Sequence, residues 1–119
     1  IIFYNNFNRK KINILKDLGI SAYKIPLNNN GNLDLKRVLI KAKKLSFSRI
    51  FLESGIKLSK SFLKMNLVNH LNIFISNDKL KRIGDDNIGS FLKKYLKNKK
   101  AKVEKVNLFN EKLISYKIK

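Results

Sequence analysis

The run Ile50-Phe51-Leu52-Glu53-Ser54-Gly55-Ile56-Lys57-Leu58-Ser59-Lys60-Ser61 holds the residues of this chain best suited to chemistry. Three apolar residues lead into a lone carboxylate. A Ser and a Gly follow, and then a helix-like pattern dotted with Lys and Ser. Read as strand, turn and helix, the run puts Glu53 at the carboxyl end of a central-type strand, where open parallel sheets bind ligands. Gly55 lets the backbone approach a ligand closely at the turn. A helix that begins near Ile56 aims unpaired N–H groups and its positive dipole end outward, and phosphate binds well there. Ser54, Ser59 and Ser61 add hydroxyls, and Lys57 and Lys60 add charge. The carboxylate suits the hydroxyl and N–H donors of a sugar or amine. The plainer reading is that Glu53 caps the helix or pairs with a lysine.

The rest of the chain supplies elements to position that run. Residues 1–4 read as a strand. Residues 11–18 read as a helix, with Ile12, Leu15 and Leu18 on one face and Gly19 just past its end. Residues 20–27 read as a strand stopped by Pro26. Residues 28–32, Asn-Asn-Asn-Gly-Asn, form a loop by turn chemistry. Asp34 can cap the next helix, whose Leu35, Val38, Leu39, Ala42 and Leu45 keep a 3.6 period. Residues 49–52 lead a short apolar strand without alternation, the mark of burial on both faces. Leu58, Phe62 and Met65 line up on a further helix. Residues 70–76 read as a strand and residues 87–96 as a helix. Residues 103–108 and 112–118 close the chain as a strand pair. The short link Phe109-Asn110-Glu111 makes that pair antiparallel.

This succession predicts an α/β fold. It has a mostly parallel sheet with right-handed crossovers, flanking helices and a C-terminal antiparallel strand pair. At 119 residues, with one Pro and five Gly, a single domain over residues 1–119 is expected. The chain opens on Ile1 and runs straight into a strand-like segment, as the C-terminal part of a longer chain would.

Composition narrows the function classes. The chain is 44% hydrophobic and 10% aromatic, enough for a core and against disorder. It has no Cys, so disulfides and thiolate metal sites are excluded, and its single His excludes a histidine-rich one. The lack of Cys fits a cytoplasmic protein. No apolar run reaches membrane-spanning length. Lys and Arg number 27 against 8 acids, a net charge of +19. Such a charge attracts phosphates on nucleic acids or metabolites. Lys is spread through every segment, though, as compositional drift toward Lys, Asn and Ile would leave it. A stacking platform for nucleic acid is also not expected, because aromatics such as Phe3, Tyr4, Phe47 and Tyr95 sit mostly at core positions.

The order of short motifs adds a resemblance. Lys24-Ile25-Pro26-Leu27 followed by Gly31-Asn32-Leu33-Asp34-Leu35 is the first motif. Ile50-Phe51-Leu52-Glu53-Ser54-Gly55 with Leu58 is the second. Phe62-Leu63, Leu67-Val68, Leu71 and Phe74-Ile75 form the third. In this order and at these gaps they resemble the C-terminal reductase domain of bifunctional riboflavin-biosynthesis deaminase/reductases. The resemblance covers roughly residues 1–80, and the remainder matches loosely as a helix and strand pair.

It implies a dihydrofolate-reductase-like fold, present here in part. It also implies NADPH-dependent reduction of a ribosylamino pyrimidine phosphate to the ribitylamino product, with hydride going to the sugar C1. By the same resemblance Glu53 contacts the substrate, while Gly55, Ile56, Lys57, Leu58, Ser59, Lys60 and Ser61 lie against NADPH. An upstream half of the reductase domain and a deaminase domain are then expected partners in a full-length chain, and a homodimer fits the family. The chain departs from the family pattern at Ser54, where the family has Gly, at Asn69-His70, where it has Asp-Glu, and at Ser76, where it has Pro. His70 is read as structural. No proton donor is assigned. A basic nucleic-acid-binding module and a non-catalytic α/β remnant are the alternatives.

Overall fold

Two adjacent requirements shape the start of the chain: helix ends must find partners for their backbone groups, and short strands must find neighbours. A computed structural model describes residues 1–76, 88–105 and 111–119. It is an α/β structure with four helices and two small sheets among those residues. The chain divides into two units, Ile1–Leu52 and Glu53–Lys119.

The first unit holds β1 (Ile2–Tyr4), α1 (Arg9–Asp17), β2 (Ala22–Lys24) and α2 (Leu35–Lys44). The Asn8 side chain caps α1 by accepting from the Lys11 N–H at 3.0 Å. At the other end Gly19 takes φ 68°. Its N–H donates to the Lys16 carbonyl at 2.9 Å, and the Ile20 N–H donates to the Leu15 carbonyl at 2.7 Å. These two bonds are the Schellman closure, which favours Gly for its left-handed backbone. The chain then returns so that β2 lies parallel to β1, with Phe3 beside Tyr23. Their rings sit 6.4 Å apart, and the Lys41 ammonium of α2 lies 4.0 Å from the Tyr23 ring centroid, a cation–π contact. The Asn-rich loop is ordered by one side chain. The Asn28 oxygen accepts from the Asn30 and Asn32 N–H groups at 3.0 and 3.1 Å. Asp34 caps α2 by accepting from Lys36 and Arg37 N–H groups at 2.9 and 3.2 Å. Ile25 and Ala42 are the buried apolar residues of this unit.

The second unit holds α3 (Ile56–Lys64), β3 (His70–Ile75), α4 (Gly89–Leu96), β4 (Ala101–Lys105) and β5 (Lys112–Lys117). Its sheet runs β3-β5-β4, and both pairings are antiparallel. Ile73, Ile114 and Val103 fall in one row across it. Phe62, Leu63, Leu96 and Ile118 are buried. On α4, Phe91 and Tyr95 stack one turn apart at 5.7 Å. The edge strand β4 is exposed along its whole length and carries a Lys102–Glu104 ion pair at 2.6 Å. The hydrogen bond that Lys102 donates to Glu104, and then the carboxylate's charge, hold the Lys102 ammonium above its ordinary pKa. Both partners are in water, so the pair adds little stability, but its charges blunt an open sheet edge. No helix among the described residues is long and apolar enough to cross a membrane.

Several expectations need correction. Residues 49–52 do not form a strand. Ile50, Phe51 and Leu52 are 52%, 83% and 37% exposed rather than buried on both faces. The residue types favour burial, but a strand exists only against a neighbour, and β1 and β2 pair with each other alone. Without that strand a mostly parallel sheet cannot form. Parallel pairing is confined to β1 and β2, and β3 joins the antiparallel sheet instead. The strand expected over residues 20–27 shortens to β2, with Leu27 making an isolated antiparallel bridge to Leu33. Leu18 and Phe47, expected in the core, are 67% and 47% exposed. The closing antiparallel pair is present as β4 and β5, though the expected strand beyond Lys105 and most of its link lie outside the described residues.

Asp34→Ala removes both cap bonds of α2 and should lower stability by about 1 kcal/mol, read as a fall in the urea midpoint at unchanged slope. Asp34→Asn keeps an accepting oxygen and should restore most of it.

Candidate functional site

A helix usually begins with a side chain that accepts from its first N–H groups and with acids in its first turn. The start of α3 has neither. Its N-cap is Gly55, at φ −62° and ψ 163°, which has no side chain to accept a bond. The first intrahelical bond runs from the Ser59 N–H to the Gly55 carbonyl at 3.2 Å. The N–H groups of Ile56, Lys57 and Leu58 therefore have no partner among the described residues. No acid lies in the first turn, and Lys57 stands there instead. A cation beside the positive end of a helix is unfavourable, and a bound anion would relieve both.

Ser54 and Ser59 brace this opening. Their hydroxyl oxygens lie 3.0 Å apart, and the Ser59 hydroxyl donates to the Ser54 carbonyl at 3.2 Å. A hydroxyl has one proton. With the Ser59 proton on that carbonyl, Ser54 is the donor between the two side chains. The family-type Gly at position 54 would lack this brace. Ser54 is not among the residues with positive φ, so the turn accepts a side chain there.

The remaining expected cofactor residues divide by orientation. Ser54, Gly55, Ile56, Lys57 and Leu58 line an open groove of about 530 Å³. A Cβ on Gly55 would meet no heavy atom within 4 Å, so the approach to the N–H groups is open. Lys57, Lys60 and Lys64 recur at three- and four-residue spacing and share one face of the helix. Ser61 donates to the Lys57 carbonyl at 3.0 Å, one turn back. Ser59 is committed to the brace.

Glu53 lies two residues before the N-cap and is exposed. It neither caps α3 nor pairs with a lysine among the described residues. The plainer reading of this carboxylate is thus not realised, and its oxygens face solvent. It does not end a strand, since residues 49–52 are unpaired. His70 opens β3 opposite Lys117 and is exposed. No cluster of His, Cys, Asp or Glu that could hold a metal occurs among the described residues. Sequence reasoning located the helix start and its lysines but missed the Ser54–Ser59 brace. Its signal was two Ser residues five apart across the N-cap position.

No protein-family model matches the chain, and comparison with curated proteins finds no match.

Replacing Gly55 by Asn adds a neutral capping oxygen where nothing crowds it. Gly55→Asn should raise stability slightly, by a few tenths of a kcal/mol, by satisfying an open N–H. It should also weaken pyrophosphate binding measured by calorimetry. The two effects have opposite sign, and unchanged pyrophosphate affinity would mean that these N–H groups hold no anion.

Proposed function

We propose that the chain is part of an NADPH-dependent reductase of riboflavin biosynthesis, acting on 5-amino-6-(5-phosphoribosylamino)uracil to give the ribitylamino product. The observation that carries this reading is the uncapped start of α3 directly after Glu53-Ser54-Gly55. The ordered motifs of residues 24–75 supply the identities of substrate and cofactor, and the helix start supplies a place for phosphate.

The residues present fit a dinucleotide phosphate. Three N–H donors converge at the groove, Lys57 and Lys60 offset negative charge, and Gly55 leaves room for close approach. When bound, NADPH supplies the hydride that reduces the sugar C1. The chain's own part is to hold and orient. The N–H groups of Ile56, Lys57 and Leu58 fix the phosphate, and the Ser54–Ser59 brace holds the turn that presents them. Glu53, which has no partner among the described residues, accepts from hydroxyl groups of the ribosyl moiety. Its position three residues before Ile56 keeps the sugar beside the cofactor end of the groove.

The test is an NADPH titration at low and high salt, with NADH and a short RNA in parallel. The expected result is saturable NADPH binding that persists at high salt. Loss of binding with salt, equal for NADPH and RNA, would mean general attraction of phosphate to a +19 chain. Glu53→Gln should leave NADPH affinity intact and, in the full-length enzyme, lower turnover or raise the KM for the pyrimidine substrate. Unchanged kinetics would remove Glu53 from the site.

A further inference from the structure

The antiparallel sheet β3-β5-β4 has two faces of opposite character. Side chains alternate along a strand, and residues paired across strands share a face. The row of Ile73, Ile114 and Val103 belongs to one face. On the other, Phe74, Leu113 and Glu104 form a row. Asn72, Ser115 and Lys102 form the next, and Lys117, opposite His70, closes the face. Phe74 is 64% exposed here, and Asn72, Lys102 and Lys117 are exposed around it. Phe3, Tyr4, Phe47 and Tyr95 all lie outside this sheet. An exposed ring on a pleated sheet is a surface on which an unpaired base stacks. Leu113, half-buried beside Phe74, widens that apolar bed. Asn72 and Ser115, one row over, offer donors and acceptors to the edge of a base. Lys102 and Lys117 offer charge to its phosphates.

We propose that this face of β3-β5-β4 binds single-stranded nucleic acid, with one base stacked on Phe74, its edge hydrogen-bonded at Asn72 and Ser115, and phosphates held by Lys102 and Lys117. A lipid bilayer would also take up the ring. It would strip water from Asn72 and Ser115 and return no hydrogen bond, whereas a base returns one. The +19 charge draws any polyanion to the surface, and the ring then separates bases from bare phosphates. Glu104 opposes the contact. It holds Lys102 in an ion pair and sets a negative charge on the face that receives the strand. This binding is independent of the reductase reading, since it uses none of the residues at the start of α3.

Fluorescence anisotropy of the 119-residue chain with a labelled oligouridylate of about eight nucleotides tests this, at salt between about 0.05 M and 0.2 M. Phe74→Ala should weaken binding about tenfold throughout, leaving the slope of log K against log salt unchanged. Phe74→Tyr keeps a stacking ring and should stay within about threefold of wild type. Lys117→Gln should make that slope shallower by about 0.7. Glu104→Gln should tighten binding up to about threefold by freeing Lys102. An abasic oligomer of equal length keeps the phosphates and loses the bases. It should bind about tenfold more weakly and be indifferent to Phe74→Ala. These side chains are exposed, so circular dichroism should be unchanged in every variant. Oligouridylate affinity indifferent to Phe74→Ala, or a Phe74→Tyr variant as weak as Phe74→Ala, would overturn the proposal. Equal affinity for the abasic oligomer would do the same, leaving general attraction to a basic chain. So would binding to phosphatidylserine vesicles that depends on Phe74 when RNA binding does not, which would make the face a membrane contact.

Discussion

Local closure of backbone hydrogen bonds is what the rest of this structure depends on. Apolar burial is thin: Ile25 and Ala42 in the first unit, and Phe62, Leu63, Leu96 and Ile118 in the second, are the buried hydrophobic residues among those described. Elements that cannot lean on a large core must be held at their ends. Three helices stop in the same way, with a left-handed residue at Gly19, Ser46 and Asn66. In each case the N–H of that residue and the N–H of the next reach back into the last turn, as with Ser46 to Lys43 and Phe47 to Ala42. Gly19 takes this backbone without strain, whereas Ser46 and Asn66 bear a cost of roughly 1 kcal/mol, less for Asn, whose side chain tolerates the region. The satisfied carbonyls offset it. At the other ends Asn8 and Asp34 accept from N–H groups in their first turns. The starts of α3 and α4 depart from this rule, since neither Gly55 nor Ile88 makes a side-chain cap bond, and the start of α3 is set apart by the open groove beside Gly55.

What was legible in the sequence follows the same division. Features fixed by a few consecutive residues came through. Asp34 before a 3.6-period run is a cap, Gly19 after one is a stop, and Asn28 through Asn32 is a turn. The closing strand pair also came through, because a short link leaves antiparallel pairing as the geometry available. Features that depend on distant neighbours did not. An unbroken apolar run such as Ile50-Phe51-Leu52 carries the residue types of a buried strand, but burial belongs to whatever covers it. The order of strands in a sheet is likewise set by partners. Strand and helix alternated as a parallel sheet requires, yet β5 lies between β3 and β4 and turns that half of the chain antiparallel.

The candidate site shows the same split at smaller scale. The helix start and its lysines could be read from Gly55, Lys57 and Lys60 in order. The state of Glu53 could not, since a carboxylate before a helix has two ordinary fates, capping and ion pairing, and sequence does not choose between them. The structure leaves both unmade among the described residues. The bond from Ser61 to the Lys57 carbonyl was hidden for a different reason. A mid-helix Ser can bond to the carbonyl one turn back or face water, and only coordinates distinguish these.

Charge and geometry act over different ranges here, and this decides how the site would select a ligand. Each Lys of an evenly basic surface attracts any phosphate from a distance, an attraction that salt removes and that favours no partner. The N–H groups of Ile56, Lys57 and Leu58 act only at hydrogen-bond distance, in a fixed direction. They therefore reward a compact anion that can enter the groove beside Gly55. A phosphate whose approach is hindered keeps the long-range attraction and loses the short-range bonds. Lys57 belongs to both regimes. It raises the local concentration of anions, and it also sits unfavourably at the positive end of α3 until one arrives. The repulsion stored there in the free chain is released on binding, so the helix start gains more from an anion than the same lysine would on an acid-capped helix.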